Sequence, residues 1–278
     1  MKINYGLKFY REVFGLESLH WGYWADNAEP TIENLKKAQN DYIERVLGWI
    51  PAGVVKVLDV GCGLGSVALK LVEKGYKVSC VSPDVYQREV FLEKTRGAVP
   101  FMLTKFEDMK PDGKYDLVLM CESVQYLDLR RAFVKCAQSL GPGGYVLAAD
   151  YFRKEDTPYY RTCRVESAFL DSAVAGGFEM VKSEDITGDV TPTLEAARRV
   201  YERYGLPVFE LIAGYLSQEL PLAVKIVSFF LKKKIRKLNR YVYEHTPQKL
   251  DAGMFRERMK YGIYLFRLNP HHSNKEIK

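Results

Sequence analysis

Between residues 54 and 150, short apolar runs alternate with amphipathic stretches at a steady spacing. The runs at 56–60, 77–81, 101–103, 115–120 and 145–149 have strand length and are rich in Val and Leu. The stretches between them, 66–73, 85–96 and 129–139, carry helical patterns. Gly75 closes the first, and Gly141-Pro142-Gly143-Gly144 follows the last. Such alternation predicts right-handed βαβ units and a mostly parallel sheet.

Outside this core the pattern changes. Tyr5, Phe9, Tyr10 and Phe14 are spaced for one helix face, and Leu19–Trp24 forms an aromatic cluster around Gly22. On pattern alone that cluster reads equally well as a packing plug. A helix is predicted over 31–50, with Thr31 as its N-cap and Pro51-Ala52-Gly53 as its stop. After a loop at 151–164 come a helix at 166–175 and a strand at 178–185. Residues 193–259 read as helical, with a breaker at Pro207 and a kink at Pro221. A last strand is predicted at 261–268. If it pairs beside 178–185, the helical stretch becomes an insertion over one end of the sheet. The boundaries that follow are 1–53 for a helical and aromatic segment, 54–186 for the sheet core, 187–259 for the insertion, and 260–278 for the last strand and a polar tail.

Composition narrows the class. At 278 residues, 47% hydrophobic and 27% charged, the chain has the makeup of a soluble globular protein. Much of its +6 net charge sits in Lys232–Lys237, a local patch and not a generalised nucleic-acid surface. Five scattered cysteines without a Cys-x-x-Cys pair suit reduced thiols. Four histidines, two of them in the tail as His271 and His272, argue against a histidine-rich metal site. There is neither a signal-peptide pattern nor an apolar stretch of bilayer-spanning length. The expected setting is cytoplasmic, with no metal and no transmembrane segment.

The run Lys56–Val60 leads into Gly61-Cys62-Gly63-Leu64-Gly65-Ser66. A strand entering a glycine turn before a helix is how open α/β sheets receive nucleotide-like ligands. The dinucleotide fingerprint needs a glycine at 66, where serine stands, and an acid at the end of the next strand, where Ser79-Cys80-Val81 stand. Asp59-x-Gly61-x-Gly63-x-Gly65 instead resembles the first motif of class I S-adenosylmethionine-dependent methyltransferases. Val81-Ser82-Pro83-Asp84, Tyr115-Asp116-Leu117-Val118 and Leu140-Gly141-Pro142-Gly143-Gly144 resemble later motifs of that family. The closest motif match is to the sterol- and tocopherol-like C-methyltransferases and to natural-product methyltransferases.

The resemblance implies a Rossmann-like sheet of seven strands, mostly parallel with the last antiparallel. It also implies an N-terminal helical segment, a helical cap before the last strand, and S-adenosylmethionine as methyl donor. Gly61, Gly63 and Gly65 would meet the donor's amino acid part, and Asp59 its ammonium. Cys80 stands where the family often has a ribose-binding acid, so Ser82 and Gln87 become the ribose candidates. Phe106 and Glu107 are candidates for the adenine side, with Cys121 and Tyr10 completing the donor set. Cys121-Glu122-Ser123-Val124-Gln125-Tyr126 resembles the Glu-Ser/Ala-x-x-His segment of the small-molecule enzymes, with Tyr126 close to the usual histidine. Glu122, His20 and Tyr23 are the catalytic candidates. Tyr126, Tyr151, Tyr160, Thr187 and Val190 are the acceptor candidates.

The expected activity is methyl transfer to carbon or nitrogen of a small hydrophobic or aromatic acceptor of natural-product, isoprenoid or lipid type. O-methylation, RNA methylation and a non-catalytic cofactor-binding scaffold are the alternatives. The apolar stretch 208–230 suits a pocket lining, a homodimer seam or peripheral membrane contact. Packing of the cap into the core is the reading its composition favours.

Overall fold

The computed structural model describes residues 5–25, 28–110, 115–156 and 160–270. Tyr159, His271 and His272 lie outside the described residues. Seven strands form one sheet: β1 (Lys56–Val60), β2 (Lys77–Ser82), β3 (Phe101–Leu103), β4 (Tyr115–Cys121), β5 (Leu140–Arg153), β6 (Phe178–Asp185) and β7 (Met259–Leu268). Their order is β3-β2-β1-β4-β5-β7-β6. β1 to β5 pair in parallel, and β7 runs antiparallel to both β5 and β6. This is the Rossmann-like methyltransferase architecture expected from the motifs.

Alternation along the strands assigns the two faces. Leu58, Val60, Val118 and Met120 point to one layer, where Phe133 and Phe169 of helices Leu129–Ser139 and Glu166–Ala175 cover them. Val57, Leu117, Leu119 and Ile263 point to the other, under Tyr42, Val46 and Leu71 of helices Ile32–Leu47 and Ser66–Glu73. With apolar residues on both faces, the strands read as nearly continuous hydrophobic runs.

Three local expectations shift. The Gly141–Gly144 turn lies within β5, and that strand extends four residues beyond Ala149, where β7 continues to pair with it as far as Arg153. β2 ends at Ser82, so Cys80 is not at the strand tip. It sits two residues back, fully buried in the layer with Cys62. Pro207 does not break the chain. It lies in the first turn of helix Leu206–Glu219, directly after a π-helical turn at Tyr201–Gly205. A second π turn, Tyr241–His245, likewise precedes Pro247. A proline cannot donate to the carbonyl four residues back and its ring crowds that carbonyl, and a widened turn accommodates both effects.

The largest correction concerns the apolar insertion. Helices Leu206–Glu219, Pro221–Phe230 and Lys232–Arg240 contribute no buried residue. They extend from the body as an arm and do not pack into the core. Its root is attached: Thr193 Oγ1 accepts from Gly22 N–H at 3.0 Å and from the Trp24 indole at 2.9 Å.

Candidate active site

A cavity of about 620 Å³ opens at the C-terminal ends of β1, β2 and β4, within the size range of small-molecule sites. Its floor is the glycine turn. Gly61 has φ +76°, and a Cβ there would run into Ser123. Gly65 has φ +89°, caps helix Ser66–Glu73, and faces the Phe91 ring so closely that a Cβ would lie 2.8 Å from it. Both positions need glycine for backbone conformation and for space. Asp59, at 1% exposure, lines this end. Its Oδ2 is buried without a partner, and burial pushes the carboxyl up to about 7. A buried, unpaired carboxylate oxygen is costly unless a cation meets it.

The β2 end presents Ser82, Asp84 and Gln87. The Ser82 hydroxyl donates to Gln87 Oε1 at 2.9 Å, and Asp84 caps the next helix by accepting from Gln87 N–H at 2.8 Å. The Gln87 side-chain amide is thus oriented by Ser82. Phe106 and Glu107 line the far wall; Glu107 Oε1 already accepts from Asp128 N–H at 2.8 Å.

Glu122 follows β4 with φ +51°, a left-handed conformation uncommon for a residue with a Cβ. Its amide donates to Ala149 O at 2.8 Å. Its Oε1 accepts from Trp21 N–H and from the Tyr261 hydroxyl, both at 2.6 Å. Tyr261 in turn lies 2.9 Å from the Tyr42 hydroxyl. Burial pushes Glu122 up to about 8, while both hydrogen bonds oppose the shift. Asp150, within β5 next to Ala149, is also pushed up by burial to about 7; it accepts from Val124 N–H at 2.9 Å and Tyr151 N–H at 2.8 Å.

The segment 16–24 covers the cavity as a lid. Gln39 Nε2 donates to the carbonyls of Ser18 and His20 at 3.0 and 2.7 Å and lies 3.2 Å from the Tyr10 hydroxyl. Ser66 Oγ donates to Glu17 O at 2.9 Å. His20 stacks on Tyr42, with ring centroids 4.6 Å apart, and its Nδ1 lies 2.8 Å from Trp21 O. That carbonyl requires the proton on Nδ1, so the buried Nε2 carries a lone pair, and it has no partner. Burial pushes the imidazole down to about 4, which keeps it neutral.

The fold therefore gathers His20, Asp59, Gly61, Gly63, Ser82, Gln87, Phe106, Glu107, Cys121, Glu122, Tyr126 and Tyr151 around one cavity. Tyr126 stands at the mouth, 84% exposed. Gly65 lies just behind the turn and Tyr10 behind the lid. Four candidates lie elsewhere. Tyr23 packs its ring under the Arg45 guanidinium, 5.7 Å away. Thr187 Oγ1 donates to Asp185 and accepts from Tyr261 N–H at 2.8 Å, tying a turn to β7. Val190 is fully buried in the core. Tyr160 packs edge-on to Phe255 at 6.1 Å. Gln39, Tyr42, Ser123, Asp150 and Tyr261 were not found from the sequence. Asp150 had a usable signal, an acid ending an apolar strand; the others had none.

Residues 58–148 match the family model of a methyltransferase domain. An uncharacterized methyltransferase of Mycobacterium tuberculosis is 30% identical over 110 residues, 39% of this chain and 45% of the relative. The chain thus spans just under half the length of that relative. The O-methyltransferase cnsE of Penicillium expansum is 26% identical over 223 residues, 73% of this chain and 77% of that protein. Among solved structures, the [4+2]-cyclase SpnF superposes with a TM-score of 0.68 at 19% identity, covering 95% of this chain and 93% of that one; at that identity the likeness establishes the fold alone. Residues 58–148 thus resemble a methyltransferase domain, and the chain shares its fold with the solved structure.

Proposed function

We propose that the protein is an S-adenosylmethionine-dependent methyltransferase acting on carbon or nitrogen of a small hydrophobic or aromatic acceptor of natural-product, isoprenoid or lipid type. The observation that carries this reading is the pairing, in one cavity, of an unpartnered Asp59 Oδ2 beside a glycine turn with a buried Glu122 under a lid. The donor residues fit the group: Asp59 is suited to an ammonium, the glycine turn to a carboxylate, and the oriented Gln87 amide to ribose hydroxyls. When bound, the donor supplies an electrophilic methyl on a sulfonium.

Transfer is an in-line displacement at carbon, so positioning and exclusion of water matter more than a strong base. The lid, held by Gln39 and by Trp21 N–H on Glu122, excludes water. Glu122, with its titration near neutrality, is suited to exchange a proton with the acceptor or to balance its developing positive charge. Neutral His20 offers Nε2 as a hydrogen-bond acceptor. Tyr126 and Tyr151 offer aromatic faces to the acceptor. On this reading residues 1–53 supply the lid, 54–186 the donor site, 187–259 the insertion, and 260–278 the last strand and tail. Five free thiols suit a reducing, cytoplasmic setting.

A second reading, O-methylation, is favoured by the resemblance to the Penicillium O-methyltransferase. There Glu122 would take the hydroxyl proton. Calorimetric titration with S-adenosylmethionine and S-adenosylhomocysteine tests the proposal, with Asp59→Asn as the weakened control. No binding at about millimolar donor would overturn both methyl-transfer readings. Binding with no turnover across acceptor classes would leave a non-catalytic scaffold.

A further inference from the structure

The arm is built as a braced hairpin with a free tip. Near its root, the Tyr201 hydroxyl donates to Val242 O at 2.6 Å, and Phe209 meets Tyr243 edge-on at 6.1 Å. Beyond them, the tip around helix Pro221–Phe230 leaves its apolar residues in water. Leu222, Phe229 and Phe230 expose 77%, 79% and 76% of their surface, and Leu220, Ile226 and Leu231 are exposed beside them. Surfaces of this kind mark a contact with something apolar.

Charge identifies what that something is. The tip runs directly into Lys232, Lys233, Lys234, Arg236, Lys237 and Arg240, and no Asp or Glu occurs between Leu220 and Tyr243. Residues 206–250 hold eight Lys and Arg against three Glu, five of the chain's six net positive charges. Aromatic and aliphatic side chains collared by cations match the boundary between acyl chains and anionic headgroups. Two arms meeting about a two-fold axis would bring two cationic, acid-free collars together, which disfavours a second copy. Single-stranded RNA would find cations and two phenyl rings, but would leave Leu220, Leu222, Ile226 and Leu231 without a base to stack on. Among the described residues no helix is long and apolar enough to cross a membrane, so the contact is with a surface.

We propose that this arm docks on an anionic lipid bilayer, the tip entering the headgroup–acyl boundary and the collar meeting lipid anions. The inference stands on the arm alone and does not depend on methyl transfer.

Co-sedimentation of the full chain with phosphatidylcholine vesicles, with and without phosphatidylglycerol, tests it. Binding should be at least about tenfold tighter to the anionic vesicles and should weaken with salt. The combined changes Lys232→Glu, Lys233→Glu and Lys234→Glu should lower it at least about tenfold. Phe229→Ser with Phe230→Ser should weaken binding at unchanged charge. Since these side chains are exposed, both variants should keep the circular-dichroism spectrum and the donor affinity of the unmodified chain. Absent binding to anionic vesicles, or binding indifferent to both variants, overturns the proposal. A dimer in light scattering that the Phe pair dissolves assigns the arm to a second copy instead. Competition in which an RNA oligonucleotide displaces vesicles assigns it to nucleic acid.

Discussion

The Tyr261 hydroxyl donates to Glu122 Oε1 at 2.6 Å, joining the last strand to a loop 139 residues earlier in the chain. This bond lowers the Glu122 titration against the larger effect of burial, which still holds it at about 8. Tyr261→Phe removes one of the opposing bonds. The Glu122 midpoint should move further up, and turnover at neutral pH should fall. A pH–rate profile reads the shift. An unmoved profile would mean that the titrating group in catalysis is another residue.

Glu122→Gln keeps the shape and removes the proton exchange. Turnover should drop by about 10²-fold or more if Glu122 acts in acid–base chemistry. Donor affinity should change little, because Asp59 and the glycine turn hold that end of the cavity. Single-turnover kinetics beside calorimetry separates the two. Unchanged turnover would remove Glu122 from the chemistry.

Stability should depend on pH in an unusual direction. Asp59, Glu122 and Asp150 titrate at about 7, 8 and 7 in the fold, against ordinary values of 3.8, 4.5 and 3.8. Between those limits the folded chain binds more protons than the unfolded one, so stability falls as pH rises. His20, pushed down from 6.5 to about 4, acts oppositely across that interval, where the unfolded chain binds the extra proton. Above pH 6.5 the His20 contribution fades as the unfolded imidazole deprotonates, and the carboxyls dominate this balance. The Tm of the donor-free protein should therefore fall from pH 6.5 to about 8.5, with Glu122→Gln flattening the fall. Calorimetric melts at constant ionic strength measure it.

Gly61→Ala places a Cβ against Ser123 at a φ of +76°. The strain should cost about 1–3 kcal/mol of stability. Because the turn must shift to relieve it, donor affinity should fall as well. Denaturant unfolding and donor titration of the same variant read both effects. Gly53→Ala provides a control, since a Cβ there meets nothing within 4 Å, although its φ of +87° carries the same backbone cost.

Gln39→Leu strips the lid of its anchor and leaves the carbonyls of Ser18 and His20 without their donor. Loss of a donor to buried carbonyls costs about 1–3 kcal/mol. The lid should open more often, so proteolysis within 16–24 should accelerate and the donor should dissociate faster. Limited proteolysis with and without S-adenosylhomocysteine checks this. Equal cleavage in both proteins would show that Gln39 does not hold the lid.

The core was legible because its signals are local. Residues 54–150 carry apolar runs at strand length and glycines where φ turns positive, and each strand, its helix and its turn follow from a few neighbouring side chains. One end of the cavity lining was placed for the same reason: Asp59, Gly61, Gly63 and Ser82 sit at or just after strand ends that the pattern itself locates. Cys80 shows the limit of that reasoning. A strand end displaced by one residue changed which side chain faces the cavity, and Ser82 stands there with Cys80 behind it in the core.

By itself, the sequence determined the order of strands and helices, the glycine turn and the acid one residue before the end of β1, since these rest on spacing within a dozen residues. Only the tertiary structure decided what surrounds Glu122. Trp21 and Tyr261 reach it from 101 and 139 residues away, and burial, which no local pattern encodes, sets its titration. It also decided the fate of the apolar insertion. A run of Leu, Val and Phe reads the same whether a core covers it or water does, and here helices 206–240 bury none of their residues.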